Sequence, residues 1–483
     1  MNHFANIADP TDLDRIREVI AASPRPEALV SLGIKRMQIS DTAADSACDE
    51  LATLLKDSGR IVEGARIIVL VDATPIFKGS DNLKDRLIAQ LGQRFDVTRV
   101  VLGDEAHLYA DDEALDAATA ALVDADGVVS VGSGTISDIA KVASHRVGNI
   151  PFVLVQTAAS VDGYTDNVSV VLRAGAKRTI DSRWPDVVLA DTEVIASAPT
   201  RLNTSGFGEL LSLFTAPADW WLASQVGTDM SFHSTPRDLL LTFAGNPREW
   251  GAGIGDGNSE AVNQLTKVLA IRGIGTGIAG STACLSGMEH LISHMLDMHA
   301  ASHHQAMGLH GEQVGVASVV GATAWQYLLD NIRAGRPVEP RMDGATLEST
   351  VAAVFAECDP SGALGAECWS DFSKKRIAWQ SASQAVADVV ADAAVLERSL
   401  GAMLPDPRDL AEGLALAGAT VRFGDLDDWV TADVWRWAVK NCLFMRNRVT
   451  IVDLLAELGW WTDADVDAVL ARVDELTTEI SHV

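Results

Sequence analysis

The chain has 483 residues, 48% hydrophobic and 22% charged, a size that suits two or three domains rather than one core. Its 38 basic against 66 acidic residues leave a formal charge of −28, which excludes binding to a nucleic-acid backbone, since that needs clustered Lys and Arg. No apolar run reaches the roughly 18–20 residues that span a bilayer, and the N-terminus lacks a basic segment followed by an apolar one, so neither membrane insertion nor a leader is expected.

Residues 1–58 read as helical with loops. From residue 65 short apolar strands alternate with amphipathic helices: ARIIVLVD, VTRVVLG, GVVSVG and PFVLVQT are separated by LKDRLIAQLGQRF, DDEALDAATAALVDA and ISDIAKVASHRV. Such alternation implies right-handed βαβ units and a parallel sheet. VSVVLRAGAKRTID follows as short antiparallel strands, and VVLA as a last sheet strand. Beyond about residue 200 only helical periodicity remains. The expected architecture is an N-terminal segment and α/β, Rossmann-like nucleotide-binding domain over residues 1–199, then an all-α metal- and substrate-binding domain over residues 200–483. Five scattered cysteines without a CxxC pair read as reduced thiols in a cytoplasmic setting.

Gly132, Ser133, Gly134, Thr135 and Asp138 lie between the strand GVVSV and the helix ISDIAKVA. Glycines let backbone approach a pyrophosphate, and a helix start attracts the anion, although many βα turns hold two glycines merely to turn. Asp72, ending the strand RIIVLVD, either hydrogen-bonds an adenosine ribose, favouring NAD over NADP, or caps the following turn. The loop Gln156–Asp166 follows the strand PFVLVQT and gathers small hydroxyls around Asp162, suited to a nicotinamide or to substrate hydroxyls, or to an ordinary Asx-turn.

Ser286 to Glu312 holds six of the eleven histidines: His290, His294, His299, His303, His304 and His310. Imidazole is the commonest protein ligand for transition metals, so the stretch reads either as a metal site or as a solvated, His-rich helix end. His290 and His294 share one helix face, and His310 opens another helix. Glu209, after Gly206 and Gly208 in SGFGELL, supplies a third ligand from what reads as the first turn of a helix. One carboxylate and two imidazoles leave open positions, the arrangement of a catalytic metal. His299, His303 and His304 read as a polar connection.

VGSGTISDIAK, PFVLVQTAASVDGYTD, SGFGELL, SGMEHLISH, LHGEQVG, CWSDFSKK and MRNRVTIVDLLAELG occur in an order that resembles the iron-containing alcohol dehydrogenase and dehydroquinate synthase-like superfamily. They are most similar to its glycerol-1-phosphate dehydrogenase branch. The resemblance runs from about Arg66 to Gly459. It implies an NAD(P)-dependent oxidoreductase with one divalent metal (zinc, iron or nickel), held by Glu209, His290 and His310. It also implies that the 132–138 loop holds the cofactor pyrophosphate, that Thr157 and Ser160 lie near the nicotinamide and Asp162 near substrate hydroxyls, and that His294 stands beside the reacting oxygen as proton relay.

The implied substrate is a small polyol or hydroxyketone, glycerol phosphate-like if phosphorylated, and a homo-oligomer is expected. The chain departs from the branch at Glu209, where the dehydrogenases usually place Asp, at Ser281–Leu285, where Ser-Arg-Pro is typical, and at Ser212, where a Lys or Asn often follows the acid. Lys374, Lys375, Arg446 and Arg448 are the basic candidates for a substrate phosphate; a surface role in an acidic protein is the alternative. Two other functions compete: a dehydroquinate synthase-like cyclase, which Glu209 favours, and a non-catalytic nucleotide- or metal-binding homologue.

Overall fold

The computed structural model describes residues 7, 9–103, 108–173, 176–339 and 344–480; most of the first residues, where no leader is expected, lie outside them. The chain forms two compact units: Met1–Phe207 with Thr235–Ser281, and Gly208–Ser234 with Thr282–Val483. Among the described residues no helix is long and apolar enough to cross a membrane.

The first unit is built on a six-stranded sheet. Its order is Arg36–Ser40, Val187–Asp191, Phe152–Gln156, Gly127–Gly132, Arg66–Asp72 and Asp96–Leu102, and every pairing is parallel. Every residue of the three strands 127–132, 152–156 and 187–191 is buried, as expected of a parallel sheet covered on both faces. Val69, Val129, Val153 and Val187 lie in register across four strands, each with no exposed surface. Such rows of β-branched side chains suit a pleated, buried surface.

From Arg66–Asp72 the chain moves outward to Asp96–Leu102, then crosses back to Gly127–Gly132 and continues in the opposite direction. The order therefore reverses between the strands ending at Asp72 and Gly132. The carboxyl end of such a reversal is where open α/β sheets form ligand crevices. The antiparallel pairing expected after residue 167 joins Val168–Arg173 to Ala176–Asp181.

Two features depart from the sequence reading. Residues 1–58 contain the edge strand Arg36–Ser40, of which only Met37 is buried, so it shows no apolar run. The boundary expected at residue 200 also differs, because Thr235–Ser281 groups with the α/β unit. The helix Ser259–Ala279 accepts a hydrogen bond from the Tyr164 hydroxyl at the Thr266 carbonyl (2.9 Å) and one from Thr165 at the Ala270 carbonyl (2.8 Å). At Gly277 a Cβ would overlap the Trp184 ring, so glycine permits this docking.

The second unit is helical, with no strand among its described residues. Its central helix, His310–Arg333, is buried almost continuously from Gly311 to Trp325. Asp219, itself 1% exposed, accepts hydrogen bonds from the Met288 N–H (2.9 Å), the Ile451 N–H (2.9 Å) and the Trp325 indole (3.2 Å). One carboxylate thus ties together two helix starts and the central helix.

Candidate metal and nucleotide sites

The metal candidates converge in the second unit. Glu209 lies in the last turn of the helix Thr200–Leu210, not in a first turn as its glycines suggested. Gly208 and Gly315 make this position possible. A Cβ on Gly208 would fall inside contact distance of the Gly311 carbonyl, and one on Gly315 would come within 2.8 Å of the Gly208 Cα. Two backbones therefore touch, and Glu209 is carried to the start of the helix that begins with His310.

One Glu209 oxygen and one nitrogen from each of His290 and His310 all lie within 4.8 Å of one another. His290 Nε2 is 3.3 Å from Glu209 Oε1, and His310 Nε2 is 3.6 Å from Glu209 Oε2. Ligands about 2.1 Å from a common tetrahedral centre sit about 3.4 Å apart, so the cluster fits one transition-metal ion.

The opposite edges of both rings are held. His290 Nδ1 meets Glu289 Oε1 at 2.9 Å. His310 Nδ1 meets Ser293 Oγ at 2.8 Å, and that hydroxyl donates to Gln313 at 2.7 Å. Such partners set the tautomer and would aim the Nε2 lone pair at an ion held in the cluster. Burial alone would lower the His290 pKa, but Glu209 and then Glu289 outweigh it and hold the ring above its ordinary value. The same attraction overcomes burial at Glu289, whose carboxyl is held below its usual range by the His290 ring and the Gly287 N–H. Asp219 is pushed well above its usual range, first by burial and then by Glu289.

His294 is 8% exposed, and its ring stacks on His310 with centroids 6.0 Å apart and planes 17° apart. His299 and His303 stack on each other at 4.1 Å and are not part of the Glu209, His290 and His310 candidate cluster. Glu289, Asp219, Ser293 and Gln313 escaped the sequence reading. The available signal was an acid immediately before a candidate ligand histidine.

The nucleotide candidates belong to the first unit. The helix Gly134–Arg146 begins directly after the strand Gly127–Gly132, with Ser133 as its N-cap residue. A Cβ on Gly132 would lie 2.8 Å from Ile136 Cβ, and one on Gly134 would lie 2.6 Å from Val161 Cγ2, so both glycines serve close packing of the loop. Thr135 sits in the first helical turn. Thr157 and Ser160 are 5% and 8% exposed, and the Thr157 N–H donates to the Gly132 carbonyl (3.1 Å), which joins this loop to the glycine turn.

Three acids have other partners. Asp138 lies 3.2 Å from Lys141 Nζ and accepts from the Val170 N–H (3.3 Å), which gives it a structural task. Burial raises its pKa, against the pull of Lys141. Asp162 pairs with the buried Arg272 at 2.5 Å. Asp72 is held by the Lys84 ammonium, 1% exposed, which compensates the charge expected to repel a 2′-phosphate. Of the basic candidates for a phosphate, Lys375 is buried against Asp453 at 2.7 Å and Lys374 is exposed beside Asp371.

Known proteins resemble this chain in sequence and in fold. A family profile described as iron-containing alcohol dehydrogenase matches residues 42–199. The glycerol-1-phosphate dehydrogenase [NAD(P)+] of Haloquadratum walsbyi is 35% identical over 253 residues, 52% of this chain and 70% of that protein. The protein of the same name from Pyrococcus furiosus is 38% identical over 194 residues, 40% of this chain and 54% of its own length. The chain thus spans about half the length of several curated relatives that it matches. Among solved structures, glycerol dehydrogenase from Schizosaccharomyces pombe superposes with a TM-score of 0.56 at 16% identity, covering 92% of this chain and 90% of that one, a likeness of fold. On its sequence relatives, the chain belongs to the iron-containing alcohol dehydrogenase family.

Proposed function

We propose that the chain is a metal-dependent, NAD(P)-linked oxidoreductase that interconverts a small polyol, glycerol phosphate-like, and its ketone. The observation that carries this reading is the Glu209, His290 and His310 cluster, in which Glu209 and His290 are buried and His310 is partly exposed, with both Nε2 atoms facing one carboxylate and both Nδ1 atoms held from behind. Three protein ligands leave positions for a substrate oxygen. A divalent ion bound there supplies Lewis acidity, stabilising charge on that oxygen during hydride transfer to or from the nicotinamide.

The chain's own residues do the rest. Glu289 and Ser293 orient the ligand rings, and His294, stacked on His310, carries the proton that the alcohol loses or the ketone gains. The turn from Gly132 to Gly134, with Thr157 and Ser160 beside it, binds the dinucleotide. Because Lys84 compensates Asp72, both NAD and NADP are accepted.

The test is elemental analysis of Glu209→Ala and His310→Ala, with NADH formation followed during glycerol 1-phosphate oxidation. Both variants are expected to lose the metal and the turnover. Full metal retention in both would sink the ligand assignment, and a wild-type protein that turns over substrate without net NADH change would point to a cyclase.

A further inference from the structure

Every fully buried Lys or Arg among the described residues faces a carboxylate: Lys78 with Asp191, Lys84 with Asp72, Lys141 with Asp166, Arg272 with Asp162 and Lys375 with Asp453. This is what the cost of an uncompensated buried charge demands. Half-buried Arg448 breaks the pattern. Its Nη1 donates to the carbonyl and the hydroxyl of Ser286 (2.6 Å to Oγ), and its Nη2 to the Thr282 hydroxyl (2.6 Å).

All three acceptors are neutral oxygens, and among the described residues no carboxylate lies within ion-pair distance of Arg448. In a chain of net charge −28, acids to pair with are not scarce. The carboxylates that act on it through space have other partners. Glu289 takes His290, the Gly287 N–H and Thr215, Asp219 takes Met288, Ile451 and Trp325, and Asp229 takes the Trp220 indole and the N–H and hydroxyl of Ser231.

A guanidinium has five N–H donors, and three hydrogen bonds use part of them. Ser286 Oγ and Thr282 Oγ1 accept from Arg448, and neither hydroxyl hydrogen is used elsewhere among the described residues. A fork of cationic donors with two hydroxyl donors beside it matches a tetrahedral oxyanion. Its place is specific, because Ser286 stands four residues before His290 and just ahead of the helix Met288–Ser302 that carries it.

We infer that Arg448, Thr282 and Ser286 form a subsite for the anionic end of the substrate, a phosphate monoester, next to the helix start that presents the metal ligand. This deepens the function proposed above and rests on it. The arginine reaches the 282–286 loop from a distant part of the sequence, so the loop needs no arginine of its own.

The experiment uses the metal-loaded protein as wild type, Arg448→Ala, Arg448→Lys and Thr282→Val. It measures kcat/KM for glycerol 1-phosphate and for glycerol, calorimetric binding of inorganic phosphate, NADPH binding and metal content. The expected result is a fall of about ten- to a hundredfold in the ratio of the two kcat/KM values for Arg448→Ala, the effect of removing hydrogen bonds to a charged group. Arg448→Lys is expected to fall less, because it keeps the charge and loses the fork.

Equal falls on both substrates would overturn the proposal, leaving Arg448 as a clamp on the loop. Loss of NADPH binding with phosphate binding intact would overturn it in favour of a cofactor phosphate. If Arg448→Ala fails to fold, Arg448→Lys and Thr282→Val carry the same comparison. If the wild type shows no NAD(P)-linked turnover of either substrate, the oxidoreductase reading fails and phosphate calorimetry alone decides the subsite. Binding that is lost in the variants upholds the subsite, and binding that is retained refutes it.

Discussion

Glu289 offers the sharpest perturbation of the candidate metal centre, because its two oxygens have separate duties. Oε1 accepts from His290 Nδ1 (2.9 Å) and from the Gly287 N–H (2.5 Å), while Oε2 accepts from the Thr215 hydroxyl (2.9 Å). In Glu289→Gln the amide oxygen can take the Oε1 position and keep both bonds. The amide nitrogen then meets a hydroxyl that can rotate to accept, so the substitution removes the charge and little else. Glu289→Ala strips the acceptor from two buried donors and from the Thr215 hydroxyl.

Removing a group that orients a ligand from behind typically weakens metal affinity by about 10- to 100-fold, or about 1.4–2.7 kcal/mol. Glu289→Gln should lie near the lower figure. Glu289→Ala should lie near the upper one and also lower the Tm, since each unmet buried donor costs about 1–3 kcal/mol. Competition against a chelator of known affinity measures the first quantity and thermal unfolding of the metal-free protein the second. Metal affinity equal to wild type in both variants would refute the reasoning that Glu289 holds His290 for a metal.

Gly208→Ala should destabilise the protein by about 1–3 kcal/mol and reduce metal content, because the added methyl must push the helix that begins at His310 away from Glu209. Denaturant unfolding with elemental analysis checks it, and unchanged values would contradict the close backbone contact. Asp465 accepts from Tyr327 (2.6 Å), Arg336 (2.7 Å) and Thr462, which outweigh burial and hold its carboxyl down at about 2. A depressed carboxyl contributes stability above its unfolded pKa of about 3.9, and this is lost as pH falls from about 4 to about 2. The loss should be about 1–2 kcal/mol, given solvent screening of a part-exposed group, and Asp465→Asn should lack that part of the acid dependence. Urea unfolding at a series of pH values reads it directly.

Much of the candidate site was legible before any tertiary information. The histidine stretch marked His290 and His310, and the glycines before Glu209 signalled a close backbone approach. The turn at Gly132 sat where a strand passes into a helix. What stayed hidden depended on contacts across long sequence separations. Arg36–Ser40 is an edge strand with one buried residue, so its partner Val187–Asp191 reveals it and its own pattern does not. The helix Ser259–Ala279 looks like its helical neighbours in sequence, yet Gly277 and the carbonyls of Thr266 and Ala270 attach it to the α/β unit.

The partners of charged groups were equally out of reach. Asp72 and Asp162 read as ligand-binding acids, and only the structure brings Lys84 and Arg272 to them. Lys375 read as a candidate for phosphate, and folding buries it against Asp453, 78 residues further along.

By itself the sequence determined which residue types could bind a metal and a dinucleotide, and on which kinds of element they sit, because periodicity and spacing are local properties of the chain. Only the tertiary structure decided which charges are neutralised and which are left facing neutral oxygens. That depends on desolvation and on groups brought together from distant positions. The contrast between Lys375, buried against its carboxylate, and Arg448, bound to two hydroxyls and a carbonyl, exists only in the folded chain.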